Sequence, residues 1–116
     1  LLEQNHIVVS IFDQFAIKQF GVMSEFFGRP AHTFKSAAVL AQFTGSPVIP
    51  ASSWREPDGR HVLKFEAPVE IVTEGRTPDI ISKHTKRFNE KLEQIILRHP
   101  EQWIWMHKRW KRIQED

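Results

Sequence analysis

Ile7-Val8-Val9-Ser10-Ile11-Phe12-Asp13-Gln14 is the stretch on which the fold class turns. Its first six residues are almost continuously apolar and rich in β-branched side chains, the composition of a strand covered on both faces in a parallel sheet. The run stops at Asp13. In open α/β sheets ligands sit beyond the C-terminal ends of the strands, so an acid at that point stands where chemistry is done. An acid that merely caps the turn after the strand would have the same sequence, and the residues alone leave both readings open.

Downstream, residues 14–30 mix glycines, a proline and several phenylalanines without a clean period and read as a long loop. From Thr33 the spacing becomes helical: Phe34, Ala37, Ala38 and Ala41 fall on one face, with Gly45 and Pro47 as the stop. Pro47-Val48-Ile49-Pro50-Ala51 predicts a brief strand. The turn residues Pro57-Asp58-Gly59, followed by an alternating run that puts Leu63, Phe65 and Ala67 on one face, predict a hairpin. Thr77-Pro78-Asp79 combines a capping hydroxyl, a proline in the first turn and an acid at the positive dipole end, and so opens a helix. That helix is expected over residues 78–98, with Ile81, His84, Phe88, Leu92, Ile95 and Ile96 as its buried stripe. Lys83, Lys86, Arg87, Glu90, Glu93 and Gln94 form its solvated face. Pro100 ends it. Residues 101–112 are expected to form a second, shorter helix or helical turn, in which Trp103, Met106 and Trp110 pack inward. His107, Lys108, Arg109, Lys111 and Arg112 would then point outward.

At 116 residues the chain is one domain at most, large enough to bury a core. It opens on Leu1 and runs quickly into an apolar segment, the look of a chain cut from something longer. The formal charge is +2, yet residues 98–112 set Arg98, Lys108, Arg109, Lys111 and Arg112 against the single acid Glu101, so the basic character is local. Absence of cysteine excludes disulfides and cysteine-rich metal sites. No stretch approaches the roughly 20 apolar residues of a membrane-spanning helix, and no signal-peptide pattern opens the chain.

Acyl, phosphoryl and metal chemistry each leave a recognisable arrangement. His61 and Glu66 have the spacing HxxxxE, but in an alternating strand residues five apart point to opposite faces, roughly 16 Å apart along the strand; they are not read as a dyad. His6, His32, His84 and His99 have no metal-ligand spacing, and His84, on the apolar stripe, is expected to be a hydrogen-bonded core histidine. Glycine-rich phosphate loops and nucleophile elbows are absent, and Gly45-Ser46-Pro47 reads as a helix stop.

Three motifs together carry a resemblance: Ile11-Phe12-Asp13-Gln14, Phe26-Phe27-Gly28-Arg29-Pro30-Ala31, and the ending His99-Pro100-Glu101-Gln102-Trp103-Ile104-Trp105-Met106-His107-Lys108-Arg109-Trp110-Lys111. In that order they resemble the lipid A biosynthesis lauroyl/myristoyl acyltransferases, enzymes of the lysophospholipid acyltransferase type. The resemblance implies an α/β fold in which this chain is the C-terminal half of a mixed sheet flanked by helices, with a long amphipathic helix near the C-terminus. It implies one acyltransferase domain whose N-terminal part, with a membrane anchor and the catalytic HxxxxE or HxxxxD motif, precedes Leu1. The activity implied is transfer of a fatty acyl group from acyl carrier protein to a hydroxyl of a lipid A precursor or related glycolipid, at the cytoplasmic face of the bacterial inner membrane, with no cofactor. Asp13 would support the active site. Gln14, Phe26, Phe27, Gly28 and Arg29 would contact substrate, Arg29 through phosphate unless it pairs with Glu25, and the two phenylalanines unless they are plain core.

Lys108, Arg109, Lys111 and Arg112 are expected to meet anionic lipid or the acidic carrier protein; each cation near such a surface is worth about 1 kcal/mol. The rival reading is a non-catalytic basic-aromatic module that binds membrane phosphate or nucleic acid, since tryptophan stacking and Lys/Arg contacts serve single strands well. Against nucleic acid, charges elsewhere in the chain are balanced and no known binding motif is present.

Overall fold

The structure is a computed structural model that describes residues 1–103 and 107–111. It has mixed α/β architecture, with two separate antiparallel hairpins and two helices.

The first hairpin lies where a long loop was expected. Strand β1 (Gly21–Phe26) pairs antiparallel with β2 (Arg29–Phe34), Gly21 facing Phe34 and Phe26 facing Arg29. Phe27 and Gly28 make the two-residue turn, both with positive φ, 48° and 72°. That is the geometry whose twist suits a tight hairpin, but it normally takes Asn-Gly. A phenylalanine there is strained. It is held from outside, because its N–H donates to Glu93 Oε1 at 2.7 Å and its ring tilts onto Phe26 with centroids 4.7 Å apart. Small residues make most of the buried face: Ser24, Ala31 and Thr33, with Phe26 as the one large buried member. A Cβ at Gly21 would come within 2.8 Å of both Ala16 Cβ and Thr33 O, so glycine is what lets the preceding loop pass this close.

Helix α1 spans Ser36–Thr44, three residues later than the spacing from Thr33 suggested, because Thr33 and Phe34 complete β2. Ala38 and Ala41 are buried as expected, and Gly45 ends the helix at φ 67° with its N–H on Ala41 O. Residues 47–50 do not form a strand: Val48 makes a single bridge to Val69, and β3 begins at Ala51 (Ala51–Arg55). It pairs antiparallel with β4 (His61–Phe65) across the Pro57-Asp58-Gly59 turn. Leu63 and Phe65 share a face, yet that face is exposed, while Trp54 and Val62 on the other side are half-buried.

Helix α2 (Thr77–Arg98) packs on β1 and α1. Thr77 is already helical and no side chain caps the start, so the expected capping hydroxyl is absent. Its buried residues are Ile80, His84, Thr85, Phe88, Asn89 and Ile96, with Ile81, Leu92 and Ile95 only half-buried. The stripe is rotated toward Asn89, whose side-chain amide donates to Glu25 O and Thr33 Oγ1 of the first hairpin.

Residues 7–12 do not form a covered strand. Among the described residues no strand pairs with them, and without a ladder partner for N–H and C=O an extended segment is not a sheet member. Ile7, Val9 and Ile11 are 90%, 89% and 70% exposed; Phe12 turns in, edge-on to Phe88 at 5.8 Å. Two apolar clusters result, one of Phe26, Ala31 and Ile96 with Phe27, Leu92, Trp103 and Trp110, the other of Ala38, Val69 and Phe88 with Phe12, Ile71 and Ile81 beside them.

His84 is the hydrogen-bonded core histidine expected from its place on the stripe. Its Nε2 accepts the Val72 N–H at 2.9 Å and its ring stacks on Phe88. Burial first, then the charges of Arg87 and Lys83, hold its pKa below the ordinary histidine value. A group depressed on folding keeps its full stabilising contribution above its unfolded pKa, because both states are then neutral; below that pH only the unfolded chain takes the proton. Lowering the pH from about 7.5 to about 5.5 should therefore weaken the fold, by at most about 1.4 kcal/mol per pH unit for this one group. Urea unfolding at the two pH values measures the loss, and His84→Gln, which retains an acceptor, should shrink it. An undiminished loss in that variant would assign the pH dependence elsewhere.

Candidate functional site

Asp13 lies in the loop between the extended residues 7–12 and the first hairpin, and is half-buried. Trp103 Nε1–H donates to its Oδ2 at 3.4 Å. Two residues on, the Phe15 N–H donates to His107 Nε2 at 2.9 Å, and Ala16 N–H donates to His32 O at 3.3 Å. The C-terminal segment therefore reaches back across the chain to hold this loop.

Arg109 occupies the interior behind it. It is wholly buried, donating through Nη1 to His32 O at 2.6 Å and through Nη2 to Thr33 Oγ1 at 2.8 Å, with its guanidinium carbon 4.9 Å from the Phe26 ring centroid. Thr33 is the hub: its hydroxyl accepts from Arg109 and from Asn89 Nδ2 and donates to Ala31 O. Burial draws the Arg109 pKa down to about 10, opposed by the charge of Asp13. At neutral pH the group is still a cation, and the charge of Asp13 acts on it through space and not through an ion pair. The expectation that Arg109 points outward is overturned. Among the described residues of this segment only Pro100–Gln102 form a short 3-10 turn, Trp103 is extended and Arg109 and Lys111 close turns on His107 and Lys108, so helical spacing does not govern which of these side chains face the solvent. Lys108 and Lys111 are exposed, and Lys111 Nζ lies 5.9 Å from the Phe15 ring centroid. Met106 and Arg112 lie outside the described residues.

The remaining candidates separate into two groups. Gln14 is exposed beside Asp13. Phe26 is fully buried between Trp103 and Trp110, at 5.7 and 5.4 Å between centroids, and belongs to the core cluster of the first hairpin. Phe27 and Gly28 form the strained turn. Arg29 is exposed and lies over the Trp110 ring at 5.6 Å rather than pairing with Glu25; Trp110 Nε1–H in turn donates to Phe26 O. Trp103 and Trp110 meet edge to face at 6.3 Å, which joins the Asp13 loop to the Arg29 turn through one aromatic cluster.

His61 and Glu66 form no dyad. The Glu66 carboxylate bonds Arg98 of α2, which holds it below the usual carboxylate range. Among the described residues no group of three His, Cys, Asp or Glu is placed to hold a metal, and no helix is long and apolar enough to cross a membrane. An open groove of about 560 Å³ runs between Arg55, Glu56, Pro57, His99, Glu101 and Gln102 and shares no residue with the Asp13 cluster. There the Gln102 side chain closes on the Arg55 backbone, accepting from N–H at 2.7 Å and donating to C=O at 2.8 Å.

Trp103, His107 and Arg109 as supports of the Asp13 loop, and His32 and Thr33 as the backing, were not read from sequence. The one signal available was the density of tryptophan, histidine and arginine in the last segment, and it pointed outward or inward equally well. No curated protein matches the chain. The family of bacterial lipid A biosynthesis acyltransferases matches over residues 1–112, a span that takes in the Asp13 loop, the strained turn and the aromatic ending. That match covers all but the last few residues, and the chain belongs to the bacterial lipid A biosynthesis acyltransferase family.

Proposed function

We propose that this chain is the supporting half of an enzyme that moves a fatty acyl group from the thioester of acyl carrier protein to a hydroxyl on a lipid A precursor or related glycolipid. The observation that carries the reading is Asp13: an acid in an irregular loop, its carboxylate bonded by Trp103 and within the field of the buried Arg109 charge, in a chain of this family. The reaction needs a base to take the acceptor hydroxyl proton, attack of that oxygen on the thioester carbonyl, and departure of the carrier's thiolate, which regains the proton. The base and its acid belong to an HxxxxE or HxxxxD segment upstream of Leu1, in a longer protein with a membrane anchor. Asp13 supports that dyad or orients a group beside it. Arg29, exposed at the turn, suits acceptor phosphate, and exposed Lys108 and Lys111 suit anionic head groups or the acidic carrier at the cytoplasmic face of the inner membrane.

The test is an acyl-transfer assay with lauroyl-acyl carrier protein and a phosphorylated glycolipid acceptor. A protein in which residues 1–116 follow the HxxxxE/D segment should form the acylated glycolipid. Residues 1–116 alone should form none. Transfer by the shorter chain would refute the upstream dyad, and a longer protein that leaves the glycolipid unmodified would remove the proposed acceptor.

A further inference from the structure

We infer that the C-terminal segment positions the Asp13 loop for acyl transfer, with His107 as the positioning residue. The inference rests on the reading of Asp13 given above. Residues 7–12 have no ladder partner among the described residues, so regular structure does not fix the loop that follows them. Besides the Ala16 N–H bond to His32 O, what fixes it comes from the far end of the chain. Trp103 bonds the Asp13 carboxylate, and His107 Nε2 accepts the Phe15 N–H 92 residues away in sequence. Both side chains come from one short segment and hold two residues of the loop, Asp13 and Phe15. His107 can play its part only with a lone pair on Nε2 and its proton on Nδ1. Without that acceptor the half-buried Phe15 N–H is left unpaired, and the loop is free to shift until water or another group satisfies it. The segment's histidine thus faces inward to the loop and is not available for the lipid surface.

The experiment compares His107→Gln, whose amide oxygen reaches the position of Nε2, with His107→Phe, which fills the space and accepts nothing, both in the longer protein assayed above. A displacement of about 1 Å at a reacting group can lower the rate by about 100-fold, so His107→Phe should reduce kcat about 10- to 100-fold with KM little changed, and His107→Gln should stay within about threefold of the parent. In an Asp13→Asn background His107→Phe should have almost no further effect, because the carboxylate it positions is gone. Equal losses in the Gln and Phe variants, or losses that add to that of Asp13→Asn, would reduce His107 to a structural residue and overturn the inference. Full turnover by Asp13→Asn alone would instead remove the reading of Asp13 on which it stands. Should His107→Phe not fold, Trp103→Phe probes the same support from the carboxylate side: a fall in kcat of about five- to tenfold is expected from losing one donor to a charged group, and an unchanged kcat overturns the inference.

Discussion

Replacing Arg109 with leucine should destabilise the fold by about 3–5 kcal/mol, the range for breaking a buried charge arrangement by removing one partner. Arg109 is one of the few large side chains with no solvent exposure, and its two donated bonds end on β2, at His32 O and Thr33 Oγ1. Leucine fills part of the volume but answers neither acceptor and removes the charge that acts on half-buried Asp13. The cation also lies over the Phe26 face, an attraction worth about 2 kcal/mol when desolvated. Arg109→Lys separates charge from shape, because an ammonium supplies the charge but not the fork that reaches both acceptors. It should fall between the parent and Arg109→Leu. Urea unfolding of the three proteins measures this, and a leucine variant within about 0.5 kcal/mol of the parent, the range of ordinary surface substitutions, would show that the buried cation ties nothing together.

The elements most legible in the sequence were those decided locally. Helix α2 declares itself through Pro78, Asp79 and the spacing of its apolar residues, and begins within one residue of the expected start. Gly45 stops α1 because a left-handed residue satisfies the last carbonyls, and Pro57-Asp58-Gly59 turns the second hairpin. The first hairpin escaped because its turn uses phenylalanine where Asn-Gly would have announced it, and because the small residues of its inner face are serine, alanine and threonine, which leave a weak period-two signal. Residues 7–12 misled in the opposite sense. Their β-branched run has the composition of a buried strand, but composition does not supply a pairing partner. In the site, Asp13 could be singled out from the end of an apolar run, whereas its supports lie roughly 90 residues away and are joined to it by tertiary contacts that no local pattern encodes. Arg109 is the sharpest case: a cation among tryptophans on an assumed helix reads as surface, and once the segment turns instead of coiling it becomes the interior post of the hairpin.

Asp13→Asn in the longer enzyme should lower turnover about 100-fold, the scale of effect expected when a group that orients the reacting centre is neutralised in place. Asparagine is the informative change. Alanine would leave both the Trp103 Nε1–H and the Arg109 charge unanswered, so lost activity could simply report a disturbed fold. Asparagine keeps an oxygen for Trp103 and nearly the same shape, and removes only the charge. Some stability should go with it, since the buried Arg109 loses the favourable charge of Asp13, and urea unfolding of the same samples gives that loss its own number. Asp13→Glu supplies the converse. It keeps a carboxylate able to balance Arg109 but moves it by one methylene, so a structural counter-ion would survive the change with little loss of turnover, whereas a carboxylate that orients reacting groups would not. If the glutamate variant is as stable as the parent and as slow as the asparagine variant, Asp13 acts on the chemistry through its position; if both variants turn over at the parent's rate, its carboxylate serves only to balance the buried arginine and close the turn.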